Sequence, residues 1–390
     1  MPTPHGWILA VCGVVAVVIG RVFAIIELFV IGSGMVIAVA VAVAVVQLHR
    51  PHLSITRWVH PPMLTVGDTG RVDLLIENRS RIRSPRIALT EPVGSDRTAR
   101  MALAPLARGG HVTAGYRVPA LQRGVLQIGP TTVDRRDILG LAAEAREATD
   151  VTQLTIAPLT FEMAMPSLGH GVLGRHLLAL SRRIGPGEFH SLRDYVAGDE
   201  PRTVHWRASA RSEELKVRQH EAQGVRRCII VLDRQLHGAS GDPTPADREA
   251  FERAITAAGS LVISADRAGL TTRFVTGGGI DLRGPEVAAH TMRALGPIDA
   301  GVALGEIDRD PGEGLGLLVV VTPSPASDAW RDVGRVGDPT LTKVGVFTMT
   351  PSPGHLSIDA TSIESFRRGW HRLAGARGLV SELHVTGEPA

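Results

Sequence analysis

An almost unbroken apolar stretch, residues 7–46, constrains this chain more than any other feature. As a single helix it would extend about 60 Å, twice the ~30 Å thickness of a bilayer's hydrocarbon core. Two shorter helices, at residues 7–23 and 28–46, match that thickness better. Arg21 and Glu27 would then lie around the turn between them, where water solvates their charges. The sequence therefore predicts a helical hairpin that crosses a lipid bilayer twice.

A cleaved signal peptide is the competing interpretation of residues 1–50. It fits less well, because no Lys or Arg precedes the first apolar run and no clear A-x-A cleavage site follows it. The retained hairpin is therefore the favoured prediction.

Charges beside the two spans predict on which side of the membrane the rest of the chain lies. His49, Arg50 and Arg57 follow the second span, whereas the turn holds Arg21 offset by Glu27. The positive-inside rule then favours a cytoplasmic body. We expect a multi-pass plasma membrane protein with two spans.

Overall composition excludes several classes of function. The formal net charge is only +3, which gives no electrostatic reason to expect a nucleic-acid partner. Cys12 lies in the apolar stretch and Cys228 in a predicted buried strand, so we expect no disulfide. No residue pattern indicates a cofactor.

Short alternating apolar runs between turn residues predict a β-sandwich of immunoglobulin-like type in residues 51–160. Gly67-Asp68, Asn78-Arg79-Ser80 and Pro92 separate the first of these runs. The predicted strands are 53–59, 71–76, 86–89, 111–118, 124–128 and 151–156.

Residues 161–223 are predicted to form a connector. Glycines are frequent between residues 161 and 187, and the pair Arg182-Arg183 adds charge. A plain linker and a mobile lid would both show this composition, and the linker is the more common of the two.

From residue 224 to residue 390 the pattern alternates between strands and helices, which predicts an α/β domain with a mostly parallel, doubly wound sheet. The predicted strands are 228–232, 272–276, 315–321, 344–348 and an edge strand at 379–385; the predicted helices are 247–267, 285–295 and 363–373. The chain as a whole is therefore expected to be an α+β multidomain protein.

Residues 187–211, GEFHSLRDYVAGDEPRTVHWRASAR, combine paired charges with aromatic side chains that are scarce elsewhere. We refer to them as the signature segment. The segment resembles the motif of the DUF58 family, approximately G-x-E-F-x-x-L-R-x-Y-x-x-G-D-x-x-R-x-I-x-W-x-x-S-A-R. The matching residues are Glu188, Phe189, Leu192, Arg193, Tyr195, Gly198, Asp199, Arg202, Trp206, Ser209, Ala210 and Arg211.

The resemblance implies a von Willebrand factor A-like fold for residues 224–390. It also implies partners: AAA+ ATPases of the MoxR type and, with less weight, membrane proteins that resemble transglutaminases. The molecular role of the family is itself poorly defined, so the resemblance names no reaction.

Two interpretations of the signature segment remain open. Its charged residues could form a surface for a partner anchored by Tyr195 and Trp206, because Tyr, Trp and Arg dominate interface hot spots. They could instead form a buried ion-pair network that locks the connector onto the α/β domain, and this interpretation is favoured. Separately, residues 204–215 are predicted to be a strand or helix that packs through Trp206 and Leu215.

Asp233 is a weak candidate for a metal ligand. In A-type domains the first strand ends in D-x-S-x-S, whose oxygen atoms suit Mg²⁺. Here the stretch is Asp233-Arg234-Gln235-Leu236-His237, which lacks both serines and places an arginine next to the carboxylate. We therefore predict no working metal site, and expect Asp233 to cap a loop or pair with an arginine.

No other pattern indicates catalysis. His190, His205 and His220 recur at even spacing, which is not a metal-ligand motif. Gly277-Gly278-Gly279 lacks the G-K-[ST] of a phosphate loop and is predicted to be a turn. No nucleophile elbow or Cys/His pairing is present.

The favoured hypothesis is thus a membrane-anchored, non-enzymatic adaptor. A metal-dependent ligand-binding A-type domain and an envelope-facing scaffold for cell-wall or secretion assembly are the alternatives.

Overall fold

The computed structural model describes residues 1–48, 52–184, 189–195, 204–212, 214–220, 224–235, 243–308, 314–336, 338, 340–351 and 354–375. The chain divides into two compact units, Met1–Ala157 and Pro158–Ala390. The protein is of mixed α+β type, with two apolar helices at its N-terminus and several sheets. The prediction of an α+β fold with an N-terminal helical hairpin is confirmed to this extent.

The hairpin consists of α1, Pro4–Val22, and α2, Ile26–Leu48. Both helices are long and apolar enough to cross a membrane. The turn is tighter than predicted, because Arg21 lies in the last turn of α1 and Glu27 in the first turn of α2. Each charge therefore lies at the helix end whose dipole favours it.

Ten strands follow in the first unit, of which the sequence predicts six. They are β1 Leu53–His60, β2 Met63–Thr65, β3 Thr69–Asn78, β4 Ile87–Val93, β5 Arg97–Leu103, β6 His111–Pro119, β7 Gly124–Ile128, β8 Thr132–Arg136, β9 Ala143–Glu147 and β10 Thr152–Ala157. The unpredicted strands are β2, β5, β8 and β9. Pro92, predicted to separate two runs, lies inside β4.

The strands form two sheets that pack face to face. One has the order β1-β3-β6; the other has the order β2-β10-β7-β4-β8-β9, with β5 paired to β4. Residues of both sheets share each buried cluster: Leu74 of β3 lies with Leu89 of β4, and Val72 of β3 lies with Ile128 of β7. The strands of the first unit therefore form a two-layer sandwich whose apolar core consists of these two clusters.

A buried ion pair crosses this core. Arg57 lies on the inward face of β1 and Glu91 on the inward face of β4, and their side chains are 4% and 0% exposed. Arg57 Nε donates to Glu91 Oε1 at 2.8 Å. Arg57 Nη2 also donates to Glu91 Oε1, and the other guanidinium hydrogens go to the Asp150 carbonyl and to threonine hydroxyls, so the buried charge is fully hydrogen-bonded.

Two further donors complete the hydrogen bonding of the Glu91 carboxylate. Tyr116 donates its hydroxyl to Oε2 at 2.7 Å, and Thr131 donates to Oε1 at 2.6 Å. Burial and this hydrogen bond raise the pKa of Tyr116 far above its usual range. Arg57 therefore lies inside the sandwich, whereas the sequence interpretation had counted it among the charges flanking the second span.

The second unit opens on a segment that the sequence interpretation had treated as a connector. Its backbone is held in place: Phe161 N and Met163 N donate to the hydroxyls of Ser260 and Ser264 at 3.0 and 2.9 Å. Helix α3, Gly171–Ile184, follows. It buries Leu173 and Leu177 completely, and this apolar pair separated by one helical turn outweighs the local glycines.

A separate two-stranded sheet contains β11, Phe189–Asp194, and β12, Lys216–His220, and between them lies the short helix α4, Trp206–Ser209. The remaining elements form an α/β layer structure. Its strands are β13 Arg227–Leu232, β14 Thr271–Thr276, β15 Ile280–Arg283, β16 Gly316–Thr322, β17 Leu341–Phe347 and β18 Ser357–Asp359. Its helices are α5 Pro245–Arg267, α6 Val287–Leu295, α7 Asp328–Val336 and α8 Ile363–Ala374.

The six strands are ordered β15-β14-β13-β16-β17-β18, and only β15 is antiparallel to its neighbour. β13 and β16 are buried along their whole length, because helices cover both faces: α7 packs on the face of Ile229 and Val231, and α5 also contacts β13. The prediction of a mostly parallel sheet is thus confirmed. The predicted edge strand at 379–385 lies outside the described residues.

The ion pair inside the sandwich gives a stability prediction. Glu91→Gln leaves the Arg57 guanidinium buried without a countercharge, and we expect the free energy of unfolding to fall by about 3–5 kcal/mol. Asp73→Asn breaks the exposed pair Arg71–Asp73 and should cost less than about 1 kcal/mol. Denaturant unfolding of the detergent-solubilised chain measures both. Equal losses in the two variants would contradict the structural role of the buried pair.

Candidate functional site

The signature segment forms part of a small module made of β11, α4 and β12. β11 and β12 pair antiparallel, with Asp194 opposite Lys216 and Leu192 opposite Arg218. Glu188, Gly198, Asp199 and Arg202 lie outside the described residues, as do the side chains of Phe189 and Arg193. The described backbone of the module comprises residues 189–195, 204–212 and 214–220.

Hydrogen bonds around Ser209 attach α4 to β12. Lys216 N donates to the Ser209 hydroxyl at 2.8 Å, and the hydroxyl in turn donates to the His205 carbonyl at 3.1 Å. His205 N donates to the Lys216 carbonyl at 2.7 Å, and its ring Nδ1 accepts from Ala208 N at 3.0 Å. Ser209 and His205 therefore act as structural residues that hold the helix against the strand.

Two further contacts complete the frame. Val204 forms a bridge with Val217, and both side chains are buried. Lys216 Nζ pairs with the Asp194 carboxylate, and this hydrogen bond raises the pKa of Lys216. The module thus has a small apolar centre and a defined backbone.

Four large aromatic and apolar side chains of the module are exposed to solvent. Trp206 is 66% exposed, and Leu192, Tyr195 and Leu215 are also exposed. This contradicts the expected packing through Trp206 and Leu215. A single turn of helix whose inner contacts are made by backbone and Ser209 leaves no surface to cover the indole ring.

Two arginines of the segment, Arg207 and Arg211, are likewise exposed. Together with Leu192, His205, Ala208 and Lys216 they line an open cavity of about 420 Å³. Of the charged residues expected to form a buried ion-pair network, only Arg211 has a described side chain, so the network stays a prediction. The structure brings together an exposed indole, an exposed phenol and two exposed guanidinium groups.

A second candidate site lies at the end of β13. Asp233 is almost fully buried, and its Oδ2 accepts the hydroxyl of Thr322 at 2.8 Å and that of Ser327. Its Oδ1 accepts the backbone N–H of Gln235 at 3.0 Å, which closes a local turn. The carboxylate is thus hydrogen-bonded by hydroxyls from the end of β16 and from the residue before α7.

This site lies at the topological switch point of the sheet, where later strands are added on both sides of β13. β13 pairs with β14 on one side and with β16 on the other, and Asp233 and Thr322 stand at the carboxyl ends of β13 and β16. In open α/β sheets this crevice is the usual position for a ligand. A cavity of about 550 Å³ is lined there by Gln235, by residues of segment 304–308 and by the start of α7.

Sequence reasoning missed Thr322 and Ser327. The sequence motif places hydroxyls two and four residues after Asp233, but here Thr322 ends the neighbouring strand, 89 residues further along the chain, and Ser327 lies just before α7, 94 residues further along. A hydroxyl residue that directly ends a buried strand, as Thr322 ends β16, was the available signal.

Arg234, expected to oppose a cation at Asp233, is buried and extends to other groups. Its Nε donates to the Asp299 carbonyl at 2.6 Å and its Nη1 to the Gly277 carbonyl at 2.9 Å. Gly278 and Gly279 have positive φ and form the turn of the β14–β15 hairpin. The triple glycine is therefore a hairpin turn that receives an arginine.

Other candidate groups are scattered. Among the described residues, no three His, Cys, Asp or Glu side chains are grouped as metal ligands would be. Cys228 is fully buried, which raises the pKa of its thiol to about 12 and makes it a poor nucleophile. Cys12 lies exposed on α1, and both cysteines are free thiols.

Comparison with known proteins gives one family match. Residues 191–293 match the model of the family described as "Protein of unknown function DUF58". That match begins inside the signature segment and extends through β13, α5 and β14. No curated protein matches the chain.

Similar solved structures share little with this chain. The CARDB domain of a Pyrococcus furiosus protein in complex with di-metal ions is 14% identical, with a TM-score of 0.23, over 28% of this chain and 90% of that chain. A β-glucosidase from Listeria innocua in complex with glucose is 13% identical, with a TM-score of 0.19, over 27% of this chain and 16% of that chain. Scores this low support no statement about the fold or function.

The family match covers most of the signature module, the strands β13, β14 and β15, and Asp233 of the second site, whereas Thr322 and Ser327 lie outside it. Residues 191–293 are thus similar to the DUF58 family, which is described as a family of proteins of unknown function.

Proposed function

We propose that this protein is a membrane-anchored, non-enzymatic adaptor that docks a partner protein through the signature module. The observation that carries the proposal is the 66% exposure of Trp206 on a hydrogen-bonded frame. An indole exposed to water lacks the stabilisation that burial would provide. Such an exposed apolar side chain is typical of a surface that a partner covers.

The composition of the exposed surface suits protein recognition. Trp, Tyr and Arg are the residues that most often dominate binding energy, and Trp206, Tyr195, Arg207 and Arg211 are all exposed here. The frame of β11, α4 and β12 holds Trp206 and Tyr195 in place before binding, which lowers the entropic cost of association.

The resemblance to DUF58 proteins implies the class of partner. We infer an AAA+ ATPase of the MoxR type as the principal candidate, and a transglutaminase-like membrane protein as a weaker one. We further propose that the second unit is von Willebrand factor A-like and that the sandwich is immunoglobulin-like. The mostly parallel sheet with helices on both faces and the two-layer packing support these assignments.

Binding to a purified MoxR-type ATPase from the same organism tests the docking proposal. Trp206→Ala should weaken binding by at least tenfold, because central Trp residues commonly contribute about 2 kcal/mol or more. Trp58→Ala, which removes an exposed tryptophan from the sandwich instead, is the matched control and should bind as the wild type does.

Circular dichroism must show that both variants remain folded. Equal binding by Trp206→Ala and the wild type would reject docking through this module. Absence of binding by the wild type would reject the ATPase as the partner.

The side of the membrane can be tested separately. We infer a cytoplasmic body, on the charge distribution around the spans. A reporter that is active only in the cytoplasm, fused after Ala390, should be active. Activity only of a reporter that works outside the cytoplasm would contradict this and favour a scaffold facing the envelope.

A second candidate function, the binding of a divalent cation and its ligand, rests on the position of Asp233. One carboxylate and two hydroxyls, those of Asp233, Thr322 and Ser327, form an oxygen-rich set of the kind that Mg²⁺ accepts. They lie at the topological switch point, beside a cavity whose lining includes Glu306 and Asp328. Against this, both hydroxyls already donate to the carboxylate.

Thermal unfolding with Mg²⁺ or Mn²⁺ decides between a cation site and a purely structural carboxylate. Specific binding should raise the melting temperature of the wild type. At an ion concentration one hundred times Kd, binding stabilises the folded state by about 2.7 kcal/mol. Asp233→Asn should abolish the rise while it keeps an oxygen acceptor for Thr322. An unchanged melting temperature with both ions would leave Asp233 as a structural residue.

A further inference from the structure

Loop 137–142, between β8 and β9, is attached to the start of the membrane hairpin. Thr3 N donates to the Leu141 carbonyl at 2.8 Å, and the Thr3 hydroxyl donates to the Gly140 carbonyl at 2.6 Å. The approach is so close that a Cβ on Gly6 would overlap the Leu141 carbonyl oxygen. The position of this loop along the hairpin is therefore well determined.

That position is the edge of the apolar part of the hairpin. Leu141 and Ala142 pack against Val46, which is the last apolar residue of α2 before Gln47. Trp7, exposed near the start of α1, is of the type that settles at the membrane–water interface. Loop 137–142 must then lie at the level of the lipid headgroups if the hairpin spans a bilayer.

The tip of this loop is apolar and faces outward. Ile138 is fully exposed, and Leu139 is 71% exposed. The loop is also rigid, because the Asp137 carboxylate accepts the N–H groups of Leu139 and Ala142 at 3.0 and 2.7 Å. Two large aliphatic side chains are thus held out from a fixed loop at the interface.

A second loop, 79–86, lies at the same end of the sandwich. Arg79 N donates at 2.8 Å to the carbonyl of His52, four residues after the end of α2. The buried Asn78 amide donates to the Ile82 carbonyl at 2.9 Å and the Leu106 carbonyl at 3.1 Å, which joins this loop to loop 104–110. Ile82 itself is exposed.

We call loops 79–86, 104–110 and 137–142, with Arg136, the hairpin-side rim. Its charge is strongly one-sided. The exposed arginines of the rim are Arg79, Arg81, Arg83, Arg86, Arg108 and Arg136. The acids nearby are engaged locally: Glu77 pairs with Arg79, and Asp137 accepts hydrogen bonds within its own loop.

The opposite end of the sandwich differs in charge. Its turns carry Asp68 and Asp96 together with Arg97 and Arg123, so the two signs are mixed there. The concentration of arginine is therefore a property of the end that carries the hairpin.

We propose that the hairpin-side rim is a binding surface for anionic phospholipids, with Ile82, Ile138 and Leu139 inserted into the interface beside the two spans. Basic residues next to a membrane span attract anionic headgroups, and arginine forms bidentate contacts with phosphate. The inference rests on the proposed membrane anchor, and it adds that the sandwich is held against the leaflet rather than tethered freely.

Depth-dependent fluorescence quenching of the full-length chain in nanodiscs tests the insertion. A Cys12→Ala background leaves only the buried Cys228 thiol, so single introduced cysteines can carry an environment-sensitive fluorophore. Ile138→Cys should be quenched by lipid-attached nitroxide and shielded from aqueous iodide. Leu121→Cys, exposed in the turn at the opposite end, should show the reverse.

Ile37→Cys in the middle of α2 reports the anchor itself. If position 37 is shielded and position 138 is open to iodide, the anchor stands and the rim proposal is overturned. If position 37 is open to iodide, the anchor fails, and the rim proposal fails with it.

Selectivity for anionic lipid has its own measurement. Nitroxide-labelled phosphatidylglycerol should quench position 138 more than an equimolar amount of labelled phosphatidylcholine, and salt should reduce the excess. Arg81→Gln/Arg83→Gln should lower the preference by about fivefold per arginine. Arg97→Gln/Arg117→Gln, a pair of exposed arginines away from the rim, should leave it unchanged. Equal quenching by both lipids in the wild type would overturn the anionic-lipid assignment.

Discussion

The sandwich is organised around the need to neutralise one buried cation. Side chains of β1 alternate between the inward and the outward face, so residues two positions apart share a face. Arg57 therefore faces the core because the apolar residues two positions before and after it do. A charge left alone there would cost several kcal/mol, so Glu91 from the opposing sheet must meet it. Threonines from the neighbouring turn and from β10 complete the set of acceptors. The ion pair thus specifies how the two sheets are aligned.

The same rule separates structural from available charges across the molecule. Arg57, Arg234 and Asp233 are buried, and each is hydrogen-bonded to groups from other elements. By contrast, Arg207 and Arg211 of the signature module and the arginines of the rim are exposed. We therefore attribute recognition to the exposed groups and architecture to the buried ones, and the two proposed surfaces, for a partner protein and for lipid, belong to different units.

Local pattern was sufficient for much of the fold and insufficient at particular places. Strands with strict alternation, such as β3, and continuous apolar runs, such as β13, were predicted correctly. β9 was missed because its sequence Ala-Glu-Ala-Arg-Glu has no strong apolar series, so pairing with β8 decides its conformation. α3 was missed because its segment is rich in glycine, and the burial of Leu173 and Leu177 depends on contacts with distant elements such as α8.

The sequence alone determined the apolar hairpin, the alternation that makes a sandwich, the strand–helix alternation that makes a parallel sheet, and the family motif. Each of these is encoded in neighbouring residues through periodicity or composition. Only the tertiary structure decided that Trp206 is exposed, that Thr322 and Ser327 reach Asp233, and that three loops lie at the hairpin end of the sandwich. Those outcomes depend on which distant residues meet, because burial and partnership are properties of the packed chain and leave no periodic trace in its sequence.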